Sequence, residues 1–263
     1  MSNELFKFVK GKLGIVRIVL NRPELHNAFN DEMIAGLIKA FEDIEKDDSL
    51  RLVTITGEGK SFCAGADLNW MKKMVDYSDE ENFQDSVMLA NLFKAINNCS
   101  LPVLAKVNGA TLGGGTGVVA ACDFVLSAKS AKFGFTEARL GLVPAVISPF
   151  VMAKIGESNA RAWFLSGERF SAEKAMDMGL VHELTPLDNI DSEFEKWIER
   201  FLKAGPLAAK EAKALIKNVL NLKPEEVTEY TCKTISRIRT SEEGQEGMKA
   251  LLEKRKASWL ESE

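Results

Sequence analysis

Two stretches of small residues are the places where this chain could do chemistry. Gly113-Gly114-Gly115-Thr116-Gly117 leads into the small-residue helical run Val118–Cys122. Glycines at a helix start let a ligand approach unpaired backbone N–H groups, where the positive end of the helix dipole favours developing negative charge. Gly114 is therefore a candidate oxyanion donor, although the same glycines would also let a helix pack closely on a sheet. Ala64-Gly65-Ala66-Asp67 offers a second exposed backbone, with Asp67 able to brace the turn by accepting nearby N–H groups. Alone it reads more simply as a tight turn. Two backbone donors from separate loops make an oxyanion hole.

Other chemistries fit less well. Gly59-Lys60-Ser61 lacks the glycine a phosphate loop needs five positions earlier, where Thr54 stands inside a strand, so Gly57–Ser61 reads as a hairpin turn. A dinucleotide fingerprint begun at Gly113 ends on Val118, and one begun at Gly115 ends on Ala120. His26 and His182 are the only histidines, which argues against a histidine-rich metal site, and no metal ligand set is expected. His26 reads as an exposed turn residue and His182 as structural. Cys63, Cys99, Cys122 and Cys232 are scattered without a Cys-x-x-Cys pair and read as buried small hydrophobes. Carboxylates and backbone groups remain as the chemical equipment.

The elements that must position them alternate. Leu13–Leu20 is a β-branched run ended by Asn21-Arg22-Pro23, and Asn30 caps an amphipathic helix through Ile44. Leu52–Thr56, Leu101–Val107 and Phe124–Leu126 read as further strands, and Ser78 with Glu81 opens a helix to about Asn97. Beyond Leu184 the strand signals fade, and helices are expected over 190–203, 206–220, 224–239 and 242–259. The layout is α/β, with a core over 1–189 and a helical region over 190–263 that would pack on a neighbouring subunit.

The 263 residues are 46% hydrophobic and 27% charged, an ordinary globular balance. A net charge of −4 provides no basic excess for nucleic acid. Leu142–Ala153, the most apolar stretch, contains Pro144 and Pro149 and is shorter than the roughly 20 residues a membrane span needs. Met1-Ser2-Asn3-Glu4-Leu5 shows no leader pattern, so a cytoplasmic location is expected.

Five motifs in order carry a resemblance: Asn21-Arg22-Pro23 with Asn27-Ala28; Phe62–Leu68; Asn108-Gly109 with Gly113-Gly114-Gly115; Phe133-Gly134 with Glu137; and Gly141-Leu142-Val143-Pro144. Together they resemble the crotonase (enoyl-CoA hydratase/isomerase) superfamily over nearly the whole chain. The resemblance implies a spiral of ββα units, a C-terminal helical trimerisation region, a homotrimer or a hexamer made of two trimers, and an acyl-CoA thioester substrate. No cofactor is implied beyond the coenzyme A of the substrate. It also implies an enolate-like intermediate held by the N–H groups of Ala66 and Gly114, donors that gain strength as the thioester oxygen gains charge.

The family's two hydratase glutamates fall at Gly117 and Glu137, so only Glu137 remains to move the proton at carbon. The adenine and pantetheine contacts would fall at Leu25, Ala28, Ala64, Asp67 and Leu68, adjoining Ala66, Gly114 and Glu137. Lys254 matches a lysine that reaches the nucleotide phosphates of a neighbouring subunit, or it is simply a solvated surface lysine. Trp70 and Met71 serve either as lid packing or as substrate contacts. Ala145–Pro149 replaces a glycine-rich stretch and alters the acyl pocket beside Glu137. The texture of Asp67–Met71 and Gly141–Pro149 is similar to methylglutaconyl-CoA hydratases, which implies hydration of a short branched enoyl-CoA such as 3-methylglutaconyl-CoA. A double-bond isomerase with one glutamate and a non-catalytic acyl-CoA-binding protein are the alternatives.

Overall fold

The structure, a computed structural model, describes residues 2–3 and 5–260. Met1 and Glu4, which entered the leader expectation, lie outside the described residues, as do residues 261–263.

Strands come in pairs that part company. β1 (Ser2–Asn3), β2 (Phe6–Lys10) and β3 (Ile15–Leu20) precede helix α1 (Asp31–Ile44). Then β4 (Leu52–Gly57) and β5 (Ser61–Cys63) lead to α2 (Leu68–Val75) and α3 (Asp79–Asn98). β6 (Val103–Val107) and β7 (Ala110–Leu112) lead to α4 (Gly114–Ala121), and β8 (Phe124–Ala128) and β9 (Lys132–Gly134) lead to α5 (Ser148–Ser166). β10 (Arg169–Ser171), α6 (Ala172–Asp177) and β11 (Glu183–Thr185) close the core. β2 and β3 pair antiparallel in one large sheet, ordered β1-β2-β3-β4-β6-β8-β11, whereas in each of the next three units the first strand (β4, β6, β8) joins that sheet and the second (β5, β7, β9) a small one, ordered β10-β9-β7-β5. β4, β6 and β8 run parallel, as do β5, β7 and β9.

That division corrects the expected hairpin at Gly57–Ser61. The turn does not fold β5 back onto β4; it carries the chain from one sheet to the other. Asn27 holds it there, its Nδ2 donating to the carbonyls of Glu58 at 2.9 Å and Ser61 at 2.8 Å. The Asn108 amide adds a bond to the Gly59 carbonyl.

The core follows the periodicities. Asn30 accepts the Met33 N–H as the N-cap of α1, which buries Met33, Ile34, Leu37, Phe41 and Ile44 on one face. Ser78 and Glu81 form the expected capping box of α3. Central strands β4 and β8 are buried nearly throughout, as parallel strands covered on both faces must be. Cys63, Cys99 and Cys122 are buried, and burial pushes the Cys63 and Cys99 thiols up to about 12; Cys232, by contrast with its expectation, is exposed on the tail.

Four helices end the chain: α7 (Ile190–Leu202), α8 (Pro206–Asn221), α9 (Pro224–Thr240) and α10 (Glu242–Leu252). α7 belongs to this chain's own core, burying Ile190, Phe194 and Ile198. Arg51 ties the tail down by donating to the carbonyls of Leu202, Ala204 and Trp259. The last helix stops at Leu252 rather than near Trp259, because Lys254 takes a left-handed φ of 55° and Arg255 N–H turns back to the Ala250 carbonyl. No helix among the described residues is long and apolar enough to cross a membrane.

Candidate active site

Three groups singled out above stand just beyond the C-terminal ends of three neighbouring parallel strands. Ala66 follows β5, Gly114 follows β7 and Glu137 follows β9. Strand C-termini in parallel sheets are where ligand-binding loops gather. All three residues line one cavity of about 560 Å³, together with Trp70, Met71 and residues of the 142–147 segment.

Backbone geometry aims the donors. Phe29 N–H donates to the Gly65 carbonyl and Asp67 N–H to the Phe29 carbonyl, both at 2.8 Å, a parallel bridge that pins Ala66 from one side. The N–H of Ala66 therefore points away from that bridge. Gly114 is the first residue of α4, where an N–H has no intrahelical acceptor. Gly113 makes the turn possible: its φ of 51° and ψ of −119° suit glycine, and a β-carbon there would come within 3.3 Å of Glu137 Oε1.

Asp67 braces the first loop. Its Oδ2 accepts Arg22 Nη2 at 2.5 Å while Oδ1 accepts the N–H groups of Asn69 and Trp70, capping α2. Arg22 also donates to the Ala28 carbonyl. Burial pushes the Asp67 carboxyl up, but the Arg22 guanidinium and the two N–H donors outweigh it and hold the group below its usual range.

Glu137 sits on a short 3₁₀ turn, with Oε2 buried and without a hydrogen-bond partner among the described residues. Burial pushes its carboxyl above the usual range. A half-desolvated glutamate beside two outward N–H groups can take and return a proton at a carbon whose neighbouring oxygen is being stabilised.

Gly117, the other family position, is closed to any side chain. A β-carbon there would lie 2.3 Å from Ile147 Cγ2 and 2.9 Å from Phe93 Cε1. The expected change of pocket over 145–149 thus has a specific content: Ile147 fills the space beside Gly117.

A second cavity of about 730 Å³ adjoins the first, sharing Ala64, Ala66, Leu68 and Met71. It brings together Leu25, Ala28, Ala64, Ala66, Asp67 and Leu68, all of the expected coenzyme-contact positions except Lys254. Lys254 lines neither cavity of its own chain. His26 is exposed with its Nδ1 3.0 Å from Ser61 Oγ, and His182 Nδ1 accepts the Val125 N–H; neither lines the acid-bearing cavity. Among the described residues no group of histidine, cysteine and carboxylate side chains could hold a metal.

Sequence reasoning passed over Asn82, Asp85 and Ser86, which α3 presents to the same cavity as Glu137. The signal was present: they extend the apolar stripe of Leu89, Leu92, Phe93 and Ile96 along the same helix face toward the start of α3, where the face turns polar.

Paired sheets wound in ββα turns, with backbone donors and one buried acid at the ends of neighbouring strands, define a crotonase-type acyl-thioester fold. The chain belongs to the enoyl-CoA hydratase/isomerase family, whose sequence profile matches residues 10–262. A Legionella pneumophila protein of the enoyl-CoA hydratase/isomerase (crotonase) class is 37% identical, covering 98% of this chain and 100% of that one, with a TM-score of 0.92. An enoyl-CoA hydratase from Shewanella pealeana is 34% identical over 97% of this chain and 96% of its own, also at a TM-score of 0.92. A Thermus thermophilus protein described within the enoyl-CoA hydratases is 32% identical over 94% of this chain and 96% of its own length.

Proposed function

We propose that this chain is an enoyl-CoA hydratase for a short, branched, unsaturated acyl-CoA. The observation that carries the reading is the convergence of Ala66, Gly114 and Glu137 on one cavity that opens into the Leu25–Asp67 groove. The thioester oxygen would lie against the two N–H groups and the coenzyme along the groove, whose rim exposes Leu25 and Leu68. Water bonds the β-carbon as the π pair moves onto the thioester oxygen. Glu137 takes a proton from that water and delivers it to the α-carbon as the enolate collapses, so one water is added and the glutamate ends as it began.

Within this class 3-methylglutaconyl-CoA is the named candidate, supported by the residues of 67–71 and 141–149. The apolar lining at Leu142, Val143, Val146 and Ile147 suits its branch, whereas its distal carboxylate finds no Lys, Arg or His around the cavity among the described residues. A second reading, double-bond isomerisation, is favoured by Ile147 excluding any side chain at position 117, which leaves the one glutamate to carry a proton between two carbons.

Purified protein given crotonyl-CoA and 3-methylglutaconyl-CoA side by side distinguishes these outcomes. Loss of the conjugated thioester absorbance with a mass gain of one water supports hydration; a product of unchanged mass moves the assignment to isomerisation. Binding of both esters without turnover would leave a non-catalytic acyl-CoA-binding protein.

We further propose that the helical region from Pro206 onward packs on a neighbouring subunit in a trimer or a hexamer built from trimers. Ile216, Leu220, Leu251 and Leu252 there are each at least 65% exposed, an apolar surface that a monomer leaves wet. In such an assembly Lys254, which serves neither cavity of its own chain, would extend toward a neighbour's coenzyme groove.

A further inference from the structure

The face of α3 changes character along its length. At Leu92, Phe93 and Ile96 it is buried in the core, and Phe93 abuts both Gly114 and Gly117. One to three turns earlier the same face carries Leu89, Ser86, Asp85 and Asn82, and these four line the cavity that holds Glu137. At 1.5 Å per residue, Asp85 lies about 12 Å along the helix from Phe93. The polar groups therefore stand away from Gly114, in a part of the cavity that the far end of an acyl chain would reach. A five-carbon acyl chain with a terminal hydrogen bond spans about 8–9 Å, a comparable distance once side chains lean inward.

The exposed atoms at this end are mostly acceptors. Asn82 spends its amide N–H groups on the carbonyls of Tyr77 and Ser78, which leaves its Oδ1 as the atom free to bond a ligand. Asp85 Oδ1 accepts the indole N–H of buried Trp70 at 3.1 Å, which fixes the carboxylate and leaves Oδ2 without a protein partner among the described residues. Burial, with Asp31 adding to it, raises the Asp85 carboxyl, and the Trp70 bond works against that rise. Asp85 and Glu137 are the only charged side chains lining the cavity among the described residues, so no cation of the lining offsets either carboxylate.

We propose that Asn82, Asp85 and Ser86 form a polar subsite for the distal end of the acyl group, in which Asp85 selects chains ending in a hydrogen-bond donor such as an alcohol. A hydrocarbon end would take water from Asp85 Oδ2 and give it no donor in return, and a carboxylate end would meet like charge. An alcohol donates to Oδ2 and can accept from Ser86. The inference rests on this cavity being the acyl site, as proposed above, and within that class it places an alcohol-ended ester ahead of 3-methylglutaconyl-CoA.

Three esters of one carbon skeleton test it: 5-hydroxy-3-methylpent-2-enoyl-CoA, 3-methylpent-2-enoyl-CoA and 3-methylglutaconyl-CoA, which end in alcohol, methyl and carboxylate. The expected result is a kcat/KM for the alcohol about 10-fold or more above the other two, the size of a hydrogen bond to a charged group. Asp85→Asn keeps an acceptor for Trp70 but loses the charge, and is expected to shrink that preference to within about threefold. Ser86→Ala, which leaves Trp70 and Asp85 untouched, is expected to shrink it partially. Wild-type preference for the carboxylate or methyl ester, or a preference unchanged in Asp85→Asn, overturns the proposal. Dissociation constants of the three esters, measured by calorimetry on the same proteins, separate the two readings. Tighter alcohol binding that Asp85→Asn removes would uphold the subsite even if no ester were hydrated, while equal binding of all three would overturn it.

Discussion

Replacing Gly117 by alanine tests whether the pocket is closed at the position where relatives with two acids carry a carboxylate. The new methyl group would lie 2.3 Å from Ile147 Cγ2 and 2.9 Å from Phe93 Cε1, well inside contact distance. Ile147 is β-branched and 2% exposed, and Phe93 is fully buried, so neither can swing aside freely. Alanine gains about 0.8–1 kcal/mol in helix propensity over glycine. Overpacking costs about 1–3 kcal/mol and an approach of 2.3 Å belongs in the upper part of that range, about 2–3 kcal/mol, so a net loss of about 1–2 kcal/mol is expected, or roughly 2–8 °C in Tm for a chain of this size. Ile147→Ala alone should cost about 2–5 kcal/mol through the cavity it leaves. Combined, the two changes relieve each other, and the double variant should be more stable than the sum of the singles by about 1 kcal/mol or more. Urea unfolding of the four proteins at one fixed concentration measures the cycle. Gly117→Ala as stable as wild type, or strictly additive singles, would refute the reasoning that Ile147 occupies the place of a second acid.

Glu137→Gln should lower turnover by about 100-fold or more while coenzyme binding survives, the usual size of a general acid–base contribution. Because burial raises this carboxyl and the base must be ionised, wild-type kcat/KM should fall as pH drops through the raised pKa, and the acid limb should vanish from the variant's residual activity. The native state holds that proton more tightly than the unfolded chain, so ionisation costs stability as pH rises from the unfolded to the folded pKa; Glu137→Gln should melt higher at neutral pH. Asp67→Ala should lose about 2–4 kcal/mol with its Arg22 pair and the α2 cap. Its depressed pKa contributes stability above the ordinary carboxylate range that is lost as pH falls through the folded value, so acid unfolding of the variant should lack that component. Sedimentation should show a trimer or hexamer, and Leu220→Glu with Leu251→Glu should shift it toward smaller species; a fully active wild-type monomer would contradict the assembly.

Legibility followed the length and patterning of each segment. β3 and β4 stand out as apolar, largely β-branched runs and β6 and β8 as short apolar ones, because these inner strands are covered on both faces, and α1 and α3 announce themselves by their caps. The small sheet was not legible. Its strands β5, β7 and β9 are three residues each, Ser-Phe-Cys, Ala-Thr-Leu and Lys-Phe-Gly, too short for a period to emerge, which is why Gly57–Ser61 passed for a hairpin. Ala66, Gly114 and Glu137 could be named from motifs, yet their standing at three consecutive strand ends depends on that sheet. For Gly117 the sequence shows only the missing acid; that Ile147, thirty positions on, fills its room is a contact no local pattern encodes. Asp85 escaped notice for the opposite reason, since an aspartate on a helix reads as solvated until the helix is seen to border a cavity.

The placement of Ala66, Gly114 and Glu137 at the ends of β5, β7 and β9 makes their separation a property of the sheet. Neighbouring strands sit about 4.8 Å apart whatever the loops do. The side chains that line the rest of the cavity, by contrast, come largely from α2 and α3, inserted between β5 and β6, and from residues 140–147, inserted between β9 and α5. Reaction and selection are thus written in different stretches of the chain. The exposed positions of 68–89 can vary without altering that strand spacing, as long as Trp70 and the buried Leu92, Phe93 and Ile96, which seat the two helices on the core, are kept.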